Sequence, residues 1–127
     1  MENLNIKATD QSLQIDFKTD GILTLKGIST PDNVTDFFNP VFNWVKEYSE
    51  SNPSQLNLDM YIDYLNTSST RVLVEFLALV KSIKDKGVST SVIWKYEEDD
   101  EDMLELGEEI GVISEIDMNF VAVPETF

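Results

Sequence analysis

Leu56-Asn57-Leu58-Asp59-Met60-Tyr61-Ile62-Asp63 runs without a break into Tyr64-Leu65-Asn66-Thr67-Ser68-Ser69-Thr70, and the reading of this stretch decides the fold. Leu56, Leu58, Met60 and Ile62 recur at every second position and mark one face of a strand. Asn57, Asp59, Tyr61 and Asp63 face the other way. Beyond the junction, Val72, Leu73, Phe76, Leu77, Val80 and Ile83 recur at helical spacing. They predict a helix from about Ser68 to Lys86, with Gly87 placed to end it. Between strand and helix, Asn66 to Thr70 can each cap a helix or offer an amide or hydroxyl at its first turn. A helix start has free backbone N–H groups and a dipole that favours anions. The junction therefore reads either as an N-cap with spare polar residues or as a place to hold a phosphate.

Upstream, Leu13, Ile15 and Phe17 alternate with polar residues, and Ile22 to Ile28 forms a second short strand. Asp20-Gly21 between them signals a hairpin turn. Ser29-Thr30-Pro31-Asp32 reads as a helix start with Pro31 in the first turn. Val34, Phe37, Phe38, Val41, Phe42, Val45 and Tyr48 follow at helical spacing, with Pro40 either kinking that helix or opening a second segment. Downstream, Val88 to Tyr96 reads as a strand, Glu97 to Asp102 is an unbroken acidic run, and Met103, Leu104 and Ile110 belong to a short helix. A last strand lies near Met118 to Val123. The order strand, strand, helix, strand, helix, strand, helix, strand predicts an α/β mixed sheet of about five strands with three helices, packed mainly on one side. Right-handed crossovers bring the third and fourth strands into parallel pairing. Loops after the C-terminal ends of parallel strands are favoured binding positions, and Asn66 to Ser69 falls in one.

Composition narrows the chemistry. A chain of 127 residues that is 42% hydrophobic is expected to form one domain, spanning 1–127, with a proper core. The absence of cysteine rules out disulfides, iron–sulfur clusters and thiolate zinc sites. The absence of histidine rules out a Ser-His-Asp triad and imidazole metal sites. No secretory signal and no apolar run of about 18 residues is visible, so a cytoplasmic protein without a membrane span is expected. The net charge of −15 would repel nucleic acid and anionic membrane, and points to protein partners with basic or apolar surfaces. It also serves solubility.

Rival sites are weaker. The five glycines form neither GxGxxG nor a P-loop. Glu97 to Asp102 lacks the glycine and ligand spacing of a calcium loop, and reads as a solvated segment whose acids favour the next helix start, so neither metal nor cofactor is expected. Asp59 and Asp63 share a strand face and could act as paired carboxylates, but no acid–base partner accompanies them. Trp44 and Trp94 read as core or partner-facing aromatics.

Leu58-Asp59-Met60 followed by Tyr64-Leu65-Asn66-Thr67-Ser68-Ser69 resembles the signature of the SiaC-like regulatory phosphoproteins. The likeness extends to Gly27…Pro31-Asp32-Asn33, to Trp44-Val45 and to Val92-Ile93-Trp94-Lys95-Tyr96, in the same order and with similar spacing. The acidic run Glu97 to Asp102 departs from the more mixed charge expected of the family. The resemblance implies a STAS-like fold and a partner-switching role without catalysis. It implies phosphorylation of the hydroxyl after the motif asparagine, which is Thr67 here, with Ser68 and Ser69 as alternative acceptors. The implied partners are a Ser/Thr protein kinase, a PP2C-type phosphatase, and a diguanylate cyclase or other effector activated by the unphosphorylated form. Cyclic-di-GMP output, and hence surface attachment, would follow the phosphorylation state. Asp59, Tyr64 and Asn66 are expected to support the switch loop, Asn66 through an Asx-type bond and Tyr64 by packing beneath it. Two other classes stay in view: a STAS-like antagonist that captures an anti-sigma kinase, and a small enzyme built on Asp59 and Asp63. Oligomeric state is not legible in the sequence.

Overall fold

A computed structural model describes residues 1–124. The elements follow the order β1 (Leu4–Ile6), β2 (Gln14–Phe17), β3 (Ile22–Ser29), α1 (Val34–Glu50), β4 (Gln55–Leu65), α2 (Thr67–Asp85), β5 (Ser89–Glu97), α3 (Glu101–Ser114) and β6 (Asn119–Val123). The strands lie in one sheet in that same order. β1, β2 and β3 pair antiparallel, whereas β3 to β6 pair parallel through helical crossovers. The mixed sheet with three helices is as expected, with six strands rather than five. The added strand, Leu4-Asn5-Ile6, is too short to show a period by itself; it exists because Leu4 and Ile6 meet Phe17 and Ile15 across the ladder.

One sheet face carries the core. Phe17, Leu23 and Leu58 are neighbours on it, as are Met60 and Trp94. The helices cover this face: Trp44 of α1 and Phe76 of α2 both lie against Phe17, with ring centroids 5.4 and 6.2 Å away. The indole N–H of Trp94 donates to the Met103 carbonyl of α3 at 3.1 Å. Both tryptophans are therefore core residues. The opposite face is uncovered and polar, with Thr24, Lys26, Asn57, Asp59, Tyr61 and Lys95 on it.

Two expectations around α1 are corrected. The helix does not start at Pro31: Ser29 still belongs to β3, and the cap is Asn33, whose side-chain oxygen accepts the Asp36 N–H at 3.1 Å. Pro40 does not divide the helix, which runs from Val34 to Glu50. The proline removes one N–H, but Phe38, Val41, Trp44, Val45 and Tyr48 are all buried along one stripe and hold both halves in place. α2, β5 and β6 match the sequence within a residue or so, whereas α3 takes Glu101 and Asp102 from the acidic run and extends to Ser114. Asp100 caps α3 by accepting the Met103 N–H at 3.2 Å, and Glu101 and Asp102 occupy its first turn. Gly87 follows the Lys86 cap of α2 with φ of 102°, a conformation in which a side chain would be strained.

Candidate functional site

The Asn66 junction lies at the C-terminal end of β4, as the sequence order requires. The strands run sequentially and the helices share one face, so no crevice of a doubly wound sheet opens beside it. A β-bulge shapes its approach. Ile62 pairs with Gly27 and Tyr64 with Ile28, leaving Asp63 as the extra residue. Asp63 and Tyr64 are both exposed, and Leu65 returns to the core. Tyr64 therefore does not pack beneath the Asn66 turn as expected; it is 55% exposed. The two-residue alternation that located the strand could not foresee this, because a bulge is set by the partner strand.

Asn66 is the N-cap of α2. Its side-chain oxygen accepts the Ser69 N–H at 2.9 Å and the Ser68 hydroxyl at 3.2 Å. Its backbone carbonyl accepts both the N–H and the hydroxyl of Thr70, each at 3.0 Å. Its own N–H donates to the Ser29 carbonyl at 3.1 Å, so the turn is fixed to the end of β3. The Asn66 side chain thus makes a helix-capping bond to the residue three positions on.

The four junction residues after Asn66 have different surroundings. Thr67 and Ser68 are exposed, and Thr70 is half-buried. Ser69 is fully buried, with its hydroxyl 2.8 Å from that of Ser29. Among the described residues, neither the Thr67 nor the Ser68 backbone N–H donates to a protein acceptor. Thr67, the first helical residue, thus offers a free hydroxyl beside two free N–H groups at the positive end of the α2 dipole. Ser29 was missed as part of this site because the sequence placed it in a helix start; its register opposite Leu65 brings it under the turn.

Asp59 lies apart from the junction. Its carboxylate accepts from the Lys95 ammonium at 3.0 Å on the open sheet face. Tyr61 on the same face has its phenol pushed above the ordinary value, first by burial and then by the Glu97 and Asp63 carboxylates, with Lys95 opposing. An open cleft of about 510 Å³ is lined by Asp63 but not by Asp59, so it does not join the two carboxylates. Among the described residues, no group of three or more acidic side chains converges as a metal site requires. No helix among them is long and apolar enough to cross a membrane.

The family model of the SiaC family regulatory phosphoproteins matches residues 6–123. The chain belongs to the SiaC family. An uncharacterised protein of Pseudomonas aeruginosa strain UCBPP-PA14 is 32% identical over 111 residues, covering 86% of this chain and 87% of that protein. The crystal structure of apo-SiaC from Pseudomonas aeruginosa superposes with a TM-score of 0.88 at 29% identity, covering 96% of this chain and all of that one. SiaC in the crystal structure of the diguanylate cyclase SiaD with its activator SiaC superposes with a TM-score of 0.89 at 29% identity, covering 94% of this chain and 99% of that one. The SiaC fold thus accounts for nearly the whole chain, and the Asn66 turn lies well inside the matched region.

Proposed function

We propose that this chain is a partner-switching regulator, not an enzyme, that works in the cytoplasm through the phosphorylation state of Thr67. In this reading a Ser/Thr protein kinase adds the phosphate and a PP2C-type phosphatase removes it. The unphosphorylated form binds and activates a diguanylate cyclase, the class of partner that SiaC of Pseudomonas aeruginosa activates. The observation that carries the choice of acceptor is the contrast along one helical turn. The Thr67 side chain is exposed, the Ser68 hydroxyl is engaged by the cap, and the Ser69 hydroxyl is buried against Ser29.

Phosphorylation adds roughly −1.5 to −2 charges. Against a net charge of −15 this hardly alters the overall field, so the effect must be local. The free N–H groups of the α2 start tolerate the phosphate in the free protein. A partner packed on the Thr67 turn would instead have to bury a bulky dianion, at a cost of several kcal/mol without a matching cation. Binding is weakened more than folding, as a reversible switch requires.

Intact-mass measurement after incubation with the cognate kinase tests the acceptor. Wild type and Ser68→Ala should gain one phosphate and Thr67→Ala none; full incorporation in Thr67→Ala would remove Thr67 as the acceptor. Thr67→Glu should weaken binding to the cyclase, though less than phosphate does, because Glu adds one negative charge where phosphate adds roughly 1.5 to 2.

A further inference from the structure

Charge is distributed very unevenly along the chain. Residues 97–127 hold twelve of the 24 acidic residues and none of the nine basic ones, so twelve of the fifteen net negative charges reside there. Four of those twelve acids, Asp100, Asp102, Glu105 and Glu109, line the 510 Å³ cleft between the end of β4 and α3. Its floor is apolar: Leu65 and Met103 lie at its base, with Leu106 and the exposed ring of Tyr64 beside them. Its rim is acidic: Asp63, Asp102, Glu105 and Glu109, with Asp100 at the α3 cap. Neither ion pair among the described residues, Lys81–Asp85 and Lys95–Asp59, involves a rim residue.

The arrangement discriminates between occupants. The rim carboxylates do not converge as a metal cage would, so a single small cation does not match them. Nucleic acid and anionic membrane carry the wrong sign. An apolar floor bordered by separated, unneutralised carboxylates matches a segment with apolar side chains on one face and lysine or arginine flanking them. Tyr64 and Leu65 lead directly into the Asn66 cap, so such a segment would lie beside the Thr67 turn. We propose that this cleft docks a basic amphipathic segment of a partner protein. The inference names the partner chemistry of the switch surface, and to that extent rests on the function proposed above.

The test uses the full unphosphorylated chain, so its outcome is independent of whether Thr67 is the acceptor. The probe is a fluorescein-labelled leucine–lysine peptide whose leucines fall on one helical face, titrated by anisotropy. Its affinity should fall as salt shortens the Debye length from about 30 Å to about 8 Å. Asp63→Asn/Glu105→Gln/Glu109→Gln should weaken binding about tenfold, while the equally charged control Asp10→Asn/Glu47→Gln/Glu50→Gln should change it less than about twofold. Amide and methyl shifts of the wild type should move at Tyr64, Met103 and Leu106. Equal losses in the two variants, equal affinity for a peptide of scrambled leucine and lysine order, or shifts confined to other residues would overturn the proposal.

Discussion

The hydroxyls of Ser29 and Ser69 meet at 2.8 Å in a fully buried position, although forty residues separate them in the chain. This contact ties the end of β3 to the first turn of α2. With the Asn66 N–H on the Ser29 carbonyl, it gives the Asn66 turn two hydrogen bonds to a neighbouring strand. The turn is thus tied to β3 while the Thr67 side chain stays exposed.

Removing either hydroxyl strands the other in the core. Ser29→Ala and Ser69→Ala should each cost about 1–3 kcal/mol. The double variant should cost less than the sum, because it leaves no orphan. Urea unfolding of the four proteins measures the coupling; strictly additive losses would mean that the two hydroxyls do not share an interaction.

Asn66→Ala deletes the side-chain acceptor for the Ser69 N–H and the Ser68 hydroxyl. The expected loss is about 1 kcal/mol, and Asn66→Asp should retain most of the cap. Hydrogen exchange should show the loss concentrated at the α2 start. Uniform loss across the sheet would indicate that Asn66 acts on the fold as a whole.

Gly107 allows α3 to approach Trp94. A Cβ at this position would lie 2.5 Å from the indole nitrogen, in the core rather than at a flexible side-chain end. Gly107→Ala should destabilise by about 1–3 kcal/mol despite the better helix propensity of alanine. The indole N–H bond to the Met103 carbonyl should be disturbed too, visible as a shifted Trp94 fluorescence spectrum. An unchanged midpoint would show that α3 moves away at no cost.

Tyr48 predicts the alkaline behaviour. Its hydroxyl donates to the Gln55 carbonyl at 2.6 Å, and burial, followed by the Asp20 charge, raises its pKa above the usual 10.0. The folded state therefore holds this proton more tightly than the unfolded state. The associated stability is complete below pH 10 and is lost as pH rises from there through the folded value. Tyr48→Phe should be less stable near neutral pH by about 1 kcal/mol and should lose stability less steeply above pH 10, by at most about 1.4 kcal/mol per pH unit. An unaltered alkaline slope would assign that loss to other groups, Tyr61 first among them.

Local physics made much of this molecule legible. The alternation of Leu56 to Ile62, the apolar stripe of α2, the Asn66 junction and the acidic start of α3 each depend on residues within one or two turns of one another. They could be read before any strand was paired. Family resemblance, not pattern, singled out Thr67 among the junction hydroxyls. Only the tertiary structure decided features that require a distant partner. Leu4–Ile6 becomes a strand through Phe17 and Ile15, and the bulge at Asp63 follows from pairing with Gly27 and Ile28. That bulge turns Tyr64 outward, and the same parallel register puts Ser69 against Ser29. Sequence periodicity records which side of an element is apolar, but register, bulges and the burial of a single hydroxyl are set by what the neighbouring strand presents.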